Sequence, residues 1–334
     1  MAGKLTEVTE IGTALGMLRP TLGEALAKRP SELRNVDDDT WERLVASCQD
    51  TNKRVAIESA FANGRAFLQS PDALRLRPPA IVEWKGTHRP PGDEVIPADL
   101  RIDHVYLVSC KYLSKVLLNT SPSRLFDHLL VGDGQRNVHW FSECAAPEFQ
   151  DLYDTARNTN QATLAGLPSD VASLTRQEQL VMKQEFSARS WPPAVHEEWL
   201  RLCTAVSFAS ARRWTEQLNN PKVQLRLLWR MLRISAATYF MLGTDSTDSL
   251  RLRVDSNWDW SQRYELRQFS VTPASAGQPQ VNWVAHIYDR FLATTIDING
   301  HVEIRWSHGR FVGSPEAKVY LDTPLDQVPG YHQI

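Results

Sequence analysis

Cysteine is scarce in this sequence, and long apolar runs are absent. The four cysteines, Cys48, Cys110, Cys144 and Cys203, are far apart along the chain. This spacing argues against a zinc knuckle or a disulfide framework and favours a reducing, cytoplasmic compartment. The N-terminal residues contain no signal-peptide-like apolar stretch, and the most apolar window, residues 234–242, is too short to span a bilayer. We therefore expect a cytoplasmic protein with no membrane partner.

Charge of one sign and several common catalytic motifs are also missing. The net charge is −2, so any nucleic-acid binding would need local basic patches or a partner protein. There is no glycine-rich phosphate loop, which argues against ATPase activity, and no G-x-S-x-G motif. What is present is the composition of a folded domain, with 42% hydrophobic and 23% charged residues. Eleven tryptophans, most of them late in the chain, predict either a filled core or a surface for stacking bases.

The sequence pattern predicts three consecutive regions. Residues 1–157 are expected to form an α/β domain with a mixed sheet flanked by helices, residues 170–243 a helical region, and residues 245–334 a β-rich domain. Helical spacing of apolar residues is clear in residues 53–69, and residues 222–242 are expected to form a buried helix. Asn299-Gly300, between two strand-like stretches, predicts a two-residue hairpin turn.

The stretch of residues 80–131 carries the residues best suited to catalysis. Asp99 opens one predicted strand and Lys111 closes the next, with Ser109 on the same strand face as Lys111 because side chains alternate along a strand. Carboxylates are the ligands that Mg²⁺ prefers, and a lysine can stabilise charge developing on a phosphate. The pattern therefore predicts a metal site beside a phosphodiester, with Mg²⁺ or, in its place, Mn²⁺.

Such a site needs a second acid, and several residues compete for the role. Glu58, on the predicted helix of residues 53–69, is the first candidate, and Asp127 and Glu83 are the next. Asp103 is a further rival, either as a residue of the hairpin or on the same metal face. We expect the metal to be held by Asp99 together with Glu58 and Glu83, and Lys111 to orient or polarise the attacking water.

Pro97-Ala98-Asp99 followed by Ser109-Cys110-Lys111 resembles the motif of the PD-(D/E)XK nuclease superfamily, over roughly residues 55–131. Ser109 stands where that family usually has an acid, although a Ser-x-Lys variant occurs among its restriction enzymes, with the missing acid supplied from elsewhere. The resemblance implies a restriction-endonuclease-like domain that cleaves DNA in a Mg²⁺-dependent reaction. It further implies a prokaryotic restriction or anti-phage role, with a homo-oligomer or a defence-complex partner protein.

Three alternatives stay open at this point. Asp72 followed by Glu83-Trp84-Lys85 is also a literal form of the motif, although Pro78-Pro79 would interrupt its hairpin. Since Ser109 replaces an acid, the chain is alternatively a non-catalytic DNA- or partner-binding subunit that keeps the nuclease fold. RNA is the third alternative, as a substrate in place of DNA.

Overall fold

A computed structural model describes residues 2–86, 98–112, 116–131, 138–188, 190–245, 248–275 and 277–334. Pro97 of the sequence motif lies outside these described residues. The fold is mixed α/β, with a seven-stranded sheet that combines parallel and antiparallel pairs and a second sheet of five strands. The mixed α/β class predicted from the sequence is thereby confirmed.

The elements follow one another in this order. The first part contains α1 (Ala2–Leu18), α2 (Leu22–Ala27), β1 (Leu33–Arg34), α3 (Asp38–Ser47), α4 (Thr51–Gln69), β2 (Val82–Trp84), β3 (Leu100–Ile102) and β4 (Tyr106–Tyr112). The middle contains β5 (Val116–Thr120), α5 (Pro122–Phe126), α6 (Trp140–Cys144), α7 (Ala146–Thr159), α8 (Gln161–Leu164), α9 (Arg176–Glu185), α10 (Pro193–Gln217) and α11 (Pro221–Met231). The last part contains β6 (Tyr239–Asp245), β7 (Asp248–Val254), α12 (Asn257–Arg263), β8 (Tyr264–Ser275), β9 (Pro279–Asp289), β10 (Thr294–Arg305), β11 (Glu316–Leu321) and β12 (Tyr331–Gln333). Short 3₁₀ helices occupy Val171–Ser173 and Leu325–Gln327.

The chain divides into two compact units, each built from separate segments. Unit 1 comprises residues 1–115, 232–264 and 324–334, and unit 2 comprises residues 116–231 and 265–323. These limits differ from the three consecutive regions expected from the sequence. The reason is strand pairing between distant segments, since β4 pairs with β6 in unit 1 and β5 pairs with β11 in unit 2.

The sheet of unit 1 has the strand order β1-β2-β3-β4-β6-β7-β12. Strands β2, β3 and β4 form an antiparallel meander, and β6 then lies parallel to β4. Parallel neighbours require a crossover connection, and the first segment of unit 2 is contained in the connection between β4 and β6. The meander brings the Asp99 and Lys111 segments side by side.

Helices α1 and α4 pack together on the sheet of unit 1 and share its hydrophobic core. Their contact depends on glycine. A Cβ atom at Gly16 would lie 2.0 Å from the Phe61 carbonyl oxygen, and one at Gly64 would lie 2.0 Å from the Thr13 carbonyl oxygen. Only residues without a side chain permit so close an approach of two helix backbones.

Unit 2 is built around large aromatic side chains. Its five-stranded sheet has the order β5-β11-β10-β9-β8, and the long helix α10 packs against β9 and α7. Trp140, Trp214 and Trp283 are completely or almost completely buried. The Phe269 ring stacks on that of Trp283 with centroids 5.9 Å apart and contacts Trp214 edge-on. For these tryptophans the core-filling interpretation is the correct one.

Two local predictions in the second half were wrong. The buried helix expected over residues 222–242 ends at Met231, and the last residues of that stretch, from Tyr239, belong to β6. The hairpin expected at Asn299-Gly300 does not form, because β10 continues through both residues. Gly300 has a packing role instead, since a Cβ atom there would lie 2.2 Å from the ring of Trp283 on the neighbouring strand.

Candidate active site

Asp99 lies immediately before β3, between the ends of β2 and β4. Its backbone N–H donates to the Val108 carbonyl at 2.8 Å, and its carbonyl accepts from the Lys85 N–H at 2.9 Å. Its carboxylate Oδ2 accepts the Cys110 backbone N–H at 2.7 Å and the Ser109 hydroxyl at 3.4 Å. Ser109 and Cys110 of β4 therefore hold the Asp99 carboxylate, and Lys111 is the next residue of that strand.

Lys111 lies on β4 opposite Gly243 of the parallel strand β6. A Cβ atom at Gly243 would be only 1.7 Å from the Lys111 carbonyl oxygen, so glycine is required for this pairing. The completely buried Asn63 of α4 donates to the Gly243 carbonyl at 2.8 Å and accepts from the Arg251 Nε at 2.9 Å. Helix α4 thus helps to hold the lysine strand in register.

The acid that the structure brings near this site is Glu10 of α1, which was missed at the sequence level. Glu10 is 8% exposed, and its carboxylate accepts the Trp84 indole N–H at 2.7 Å. Burial, with the charges of Asp99 and Glu10, raises the pKa of the Cys110 thiol well above its ordinary value. Trp84 belongs to β2, which pairs with β3 directly beside Asp99, so Glu10 contacts the sheet close to this residue. No motif marks Glu10, which is one of the two acids of α1.

Glu58, the first candidate for the second acid, points elsewhere. Its carboxylate pairs with Arg54 one helical turn earlier, at 2.8 Å, and the side chain is 50% exposed. None of its contacts among the described residues reaches Asp99 or Lys111. Glu58 is on the helix predicted from the sequence, yet the orientation of α4 turns it away from the site.

Glu83, the other predicted metal ligand, is bound by a guanidinium. Its two carboxylate oxygens accept from Arg101 Nε at 2.7 Å and Nη2 at 2.9 Å, and His104 lies 3.2 Å away. The hydrogen bonds from Arg101 hold the pKa of Glu83 below its ordinary value. The charge of this carboxylate is therefore already neutralised by a protein cation.

The remaining candidates also have structural partners. Asp103 accepts the backbone N–H groups of Ala80 and Ile81, and Asp127 of unit 2 pairs with Arg213. Asp72, in the alternative motif, is exposed in the turn that follows α4. Of that motif, Lys85 adjoins the site through its backbone bond to Asp99, and Trp84 through its indole bond to Glu10.

The described residues hold no group of three or more His, Cys, Asp or Glu side chains arranged around a common point for a metal ion. Within the same residues, no helix is both long and apolar enough to cross a bilayer. Comparison with known proteins gives no family model, curated protein or solved structure that matches this chain. The chemistry of the Asp99 site therefore rests on its own geometry.

Proposed function

We propose that unit 1 is a Mg²⁺-dependent nuclease domain that hydrolyses phosphodiester bonds in DNA. The observation that carries this proposal is the Asp99 carboxylate, oriented by the Ser109 hydroxyl and the Cys110 N–H beside Lys111. The order of α1, β2, the aspartate segment and the lysine strand supports the resemblance to the PD-(D/E)XK superfamily. That resemblance adds the proposal of a restriction or anti-phage role, with a second copy or a partner protein.

In this proposal Glu10 takes the role that the sequence suggested for Glu58. Mg²⁺ is commonly held by one or two carboxylates and keeps several waters, so Asp99 and Glu10 suit it in number and in chemistry. When bound, the ion would neutralise phosphate charge and lower the pKa of a bound water. The buried Glu10 is oriented by Trp84, which gives its carboxylate a fixed position.

The protein groups have separate roles in the proposed hydrolysis. Water adds to phosphorus while one P–O ester bond breaks, leaving a phosphate monoester and a hydroxyl. The Lys111 ammonium stabilises the negative charge on the phosphate and orients the water, as a preorganised cation does in phosphoryl transfer. Ser109 donates to Asp99 and keeps the carboxylate in place. Asn63 and Gly243 hold the backbone of the lysine strand.

The first experiment measures cleavage of supercoiled plasmid and of single-stranded RNA by the purified protein in Mg²⁺ or Mn²⁺. We expect DNA to be cut, and Lys111→Ala and Asp99→Asn to slow cleavage about 100-fold or more, because each removes a charge acting on the reacting groups. Thermal unfolding of each variant checks that the fold is kept. If RNA alone were cleaved, the proposed substrate would be RNA in place of DNA, and the proposed catalytic residues would stay the same.

A matched pair of variants identifies the second acid. Glu10→Gln keeps an acceptor for the Trp84 indole but removes the charge, and we expect it to slow cleavage as strongly as Asp99→Asn. Glu58→Gln removes the same charge from an exposed position on α4, and we expect activity close to that of the unmodified protein. The opposite result would return the role to Glu58.

A non-catalytic binding subunit is the second candidate function. It is favoured by Ser109, which replaces an acid, and by the absence of a three-ligand cluster among the described residues. DNA binding without cleavage in either metal, unaffected by Lys111→Ala, would establish this alternative and overturn the nuclease.

A further inference from the structure

Unit 2 contains a cavity of about 550 Å³ that is separate from the Asp99 site. It is lined by the end of α9, the segment before α10, the first turns of α10, the approach to β9 and the end of β10 with the residues that follow. We call it the tryptophan cavity, because Trp191, Trp199 and Trp306 line it. Its volume is that of an ordinary small-ligand site.

The three indoles form a connected and fixed aromatic wall. Trp199 stacks on Trp306 with centroids 5.8 Å apart and an interplanar angle of 23°, and it contacts Trp191 at 5.7 Å. The Trp199 indole N–H donates to the Gly277 carbonyl at 2.7 Å, which fixes the ring orientation. A rigid wall of this kind offers planar surfaces to another planar ring at little cost in entropy.

The charged groups that line the tryptophan cavity are basic. Lys183, Arg305 and Arg310 contribute cations, His196 adds an imidazole, and no carboxylate is among the described residues that line it. The Arg310 guanidinium lies 3.8 Å from the centre of the Trp191 ring and donates to the Phe186 and Ser190 carbonyls. Among the described residues, Arg305 is itself paired with Glu303, at 3.1 Å. The charge disfavours a cationic ligand, although an aromatic wall alone would suit one.

Planar walls, an excess of cations and the available volume together define the ligand. We propose that the tryptophan cavity binds one nucleotide, with its base against the indoles and its phosphate near Lys183 and the two arginines. Stacking tolerates any base, whereas the cations require the phosphate. The nucleotide is either free or an unstacked residue of a nucleic-acid strand. This inference does not depend on the proposed nuclease, whose residues belong to unit 1.

The test is isothermal titration calorimetry on the full chain with deoxyadenosine monophosphate and with single-stranded hexadeoxyadenylate. Ribose 5-phosphate and inorganic phosphate serve as probes that lack the base. We expect saturable binding of at least one adenine compound, at least tenfold tighter than either control. Tighter binding of the monophosphate would identify a free nucleotide as the ligand, and tighter binding of the hexadeoxyadenylate a residue of a nucleic-acid strand. Binding of neither, or equal binding of ribose 5-phosphate, would overturn the proposal.

Variants locate the binding. Trp191→Ala and Arg305→Gln should each weaken it about tenfold or more, because one removes an indole of the aromatic wall together with the ring on which Arg310 packs, and the other removes a cation. Trp258→Ala and Arg212→Gln are the controls, since Trp258 is 67% exposed in unit 1 and the Arg212 side chain is 74% exposed outside the cavity. Both should bind within about twofold of the unmodified protein.

Arg305→Gln and Lys111→Ala keep the outcome unambiguous. If Trp191→Ala fails to fold, Arg305→Gln decides, because the Arg305 side chain is 40% exposed and lies outside the core. Unchanged affinity in a folded Arg305→Gln protein would then rule out the cavity as the site. Lys111→Ala should bind nucleotide as the unmodified protein does, so loss of nuclease activity and loss of nucleotide binding are separate results.

Discussion

Unit 1 brings its elements together through glycine, whereas unit 2 does so through tryptophan. In unit 1, Gly16, Gly64 and Gly243 allow backbones to approach so closely that a Cβ atom at any of them would meet a carbonyl oxygen at 2.0 Å or less. In unit 2, buried indoles such as Trp140 and Trp214 fill the core. In unit 1 the glycines let two backbones meet directly, whereas in unit 2 large rings and cations line an open space of about 550 Å³. The two modes of packing accompany two kinds of candidate site.

The largest effect on stability is expected for a variant that breaks the glycine contact between α1 and α4 in unit 1. Gly16→Ala places a methyl group against the Phe61 carbonyl, with backbone on both sides and no flexible chain to move aside. We expect a loss of about 3 kcal/mol in the free energy of unfolding, at the upper end for overpacking. Urea denaturation followed by circular dichroism measures it.

The matched control for this variant is Gly23→Ala on α2, where no atom lies within 4 Å of the added Cβ. This variant should be neutral or slightly stabilising, since alanine favours helix over glycine by about 1 kcal/mol. Equal stability of the two variants would mean that α1 and α4 do not pack closely at Gly16.

An intermediate effect applies the same reasoning to unit 2. Gly300→Ala would bring a methyl group 2.2 Å from the buried Trp283 ring and 2.5 Å from the Tyr320 carbonyl. We expect a loss of about 2 kcal/mol, below that for Gly16, because a ring can shift more readily than a helix backbone. Urea denaturation again supplies the measurement, with Gly166→Ala as the control at an open position. A stability unchanged in Gly300→Ala would show that the tryptophan packing has room to adjust.

The smallest effect concerns an ion pair at the periphery of unit 1. Arg19 binds Glu32 through two hydrogen bonds, of 3.0 and 3.1 Å, which lower the pKa of Glu32 from 4.5 to about 2. Because the folded-state pKa is below the unfolded one, the pair stabilises the fold above pH 4.5, and this contribution is lost as the pH falls towards 2. Each side chain is close to 30% exposed, so we expect only about 1 kcal/mol at pH 7.

A double-mutant cycle of Glu32→Gln and Arg19→Gln measures this coupling by urea unfolding at several pH values. The coupling free energy should be largest at neutral pH and should approach zero near pH 2. A coupling that grows as the pH falls would reverse the assigned direction of the pKa shift.

Several features of the candidate site follow from local sequence. Alternation along β4 placed Ser109 and Lys111 on one strand face, and the meander of β3 and β4 brings Asp99 next to Ser109. The helix of residues 53–69 was also predicted correctly, since α4 spans Thr51–Gln69. Its side-chain orientation was not predictable, because the exposed face of a helix depends on what packs against it. For this reason the sequence favoured Glu58 as the second acid, and Glu10 was not among its candidates.

The sequence by itself determined what depends on neighbouring residues: the helical period of α4, the strand period around Lys111 and the pairing of the short strands beside Asp99. Only the tertiary structure decided that Glu58 pairs with Arg54 whereas Glu10 is buried against Trp84, why Gly300 is needed within a continuous strand, and that each unit is assembled from separated segments. The physical reason is the separation along the chain over which each interaction acts. Hydrogen bonding and side-chain alternation act over a few residues, whereas steric fit between α1 and α4, or between β4 and β6, depends on atoms far apart in the chain.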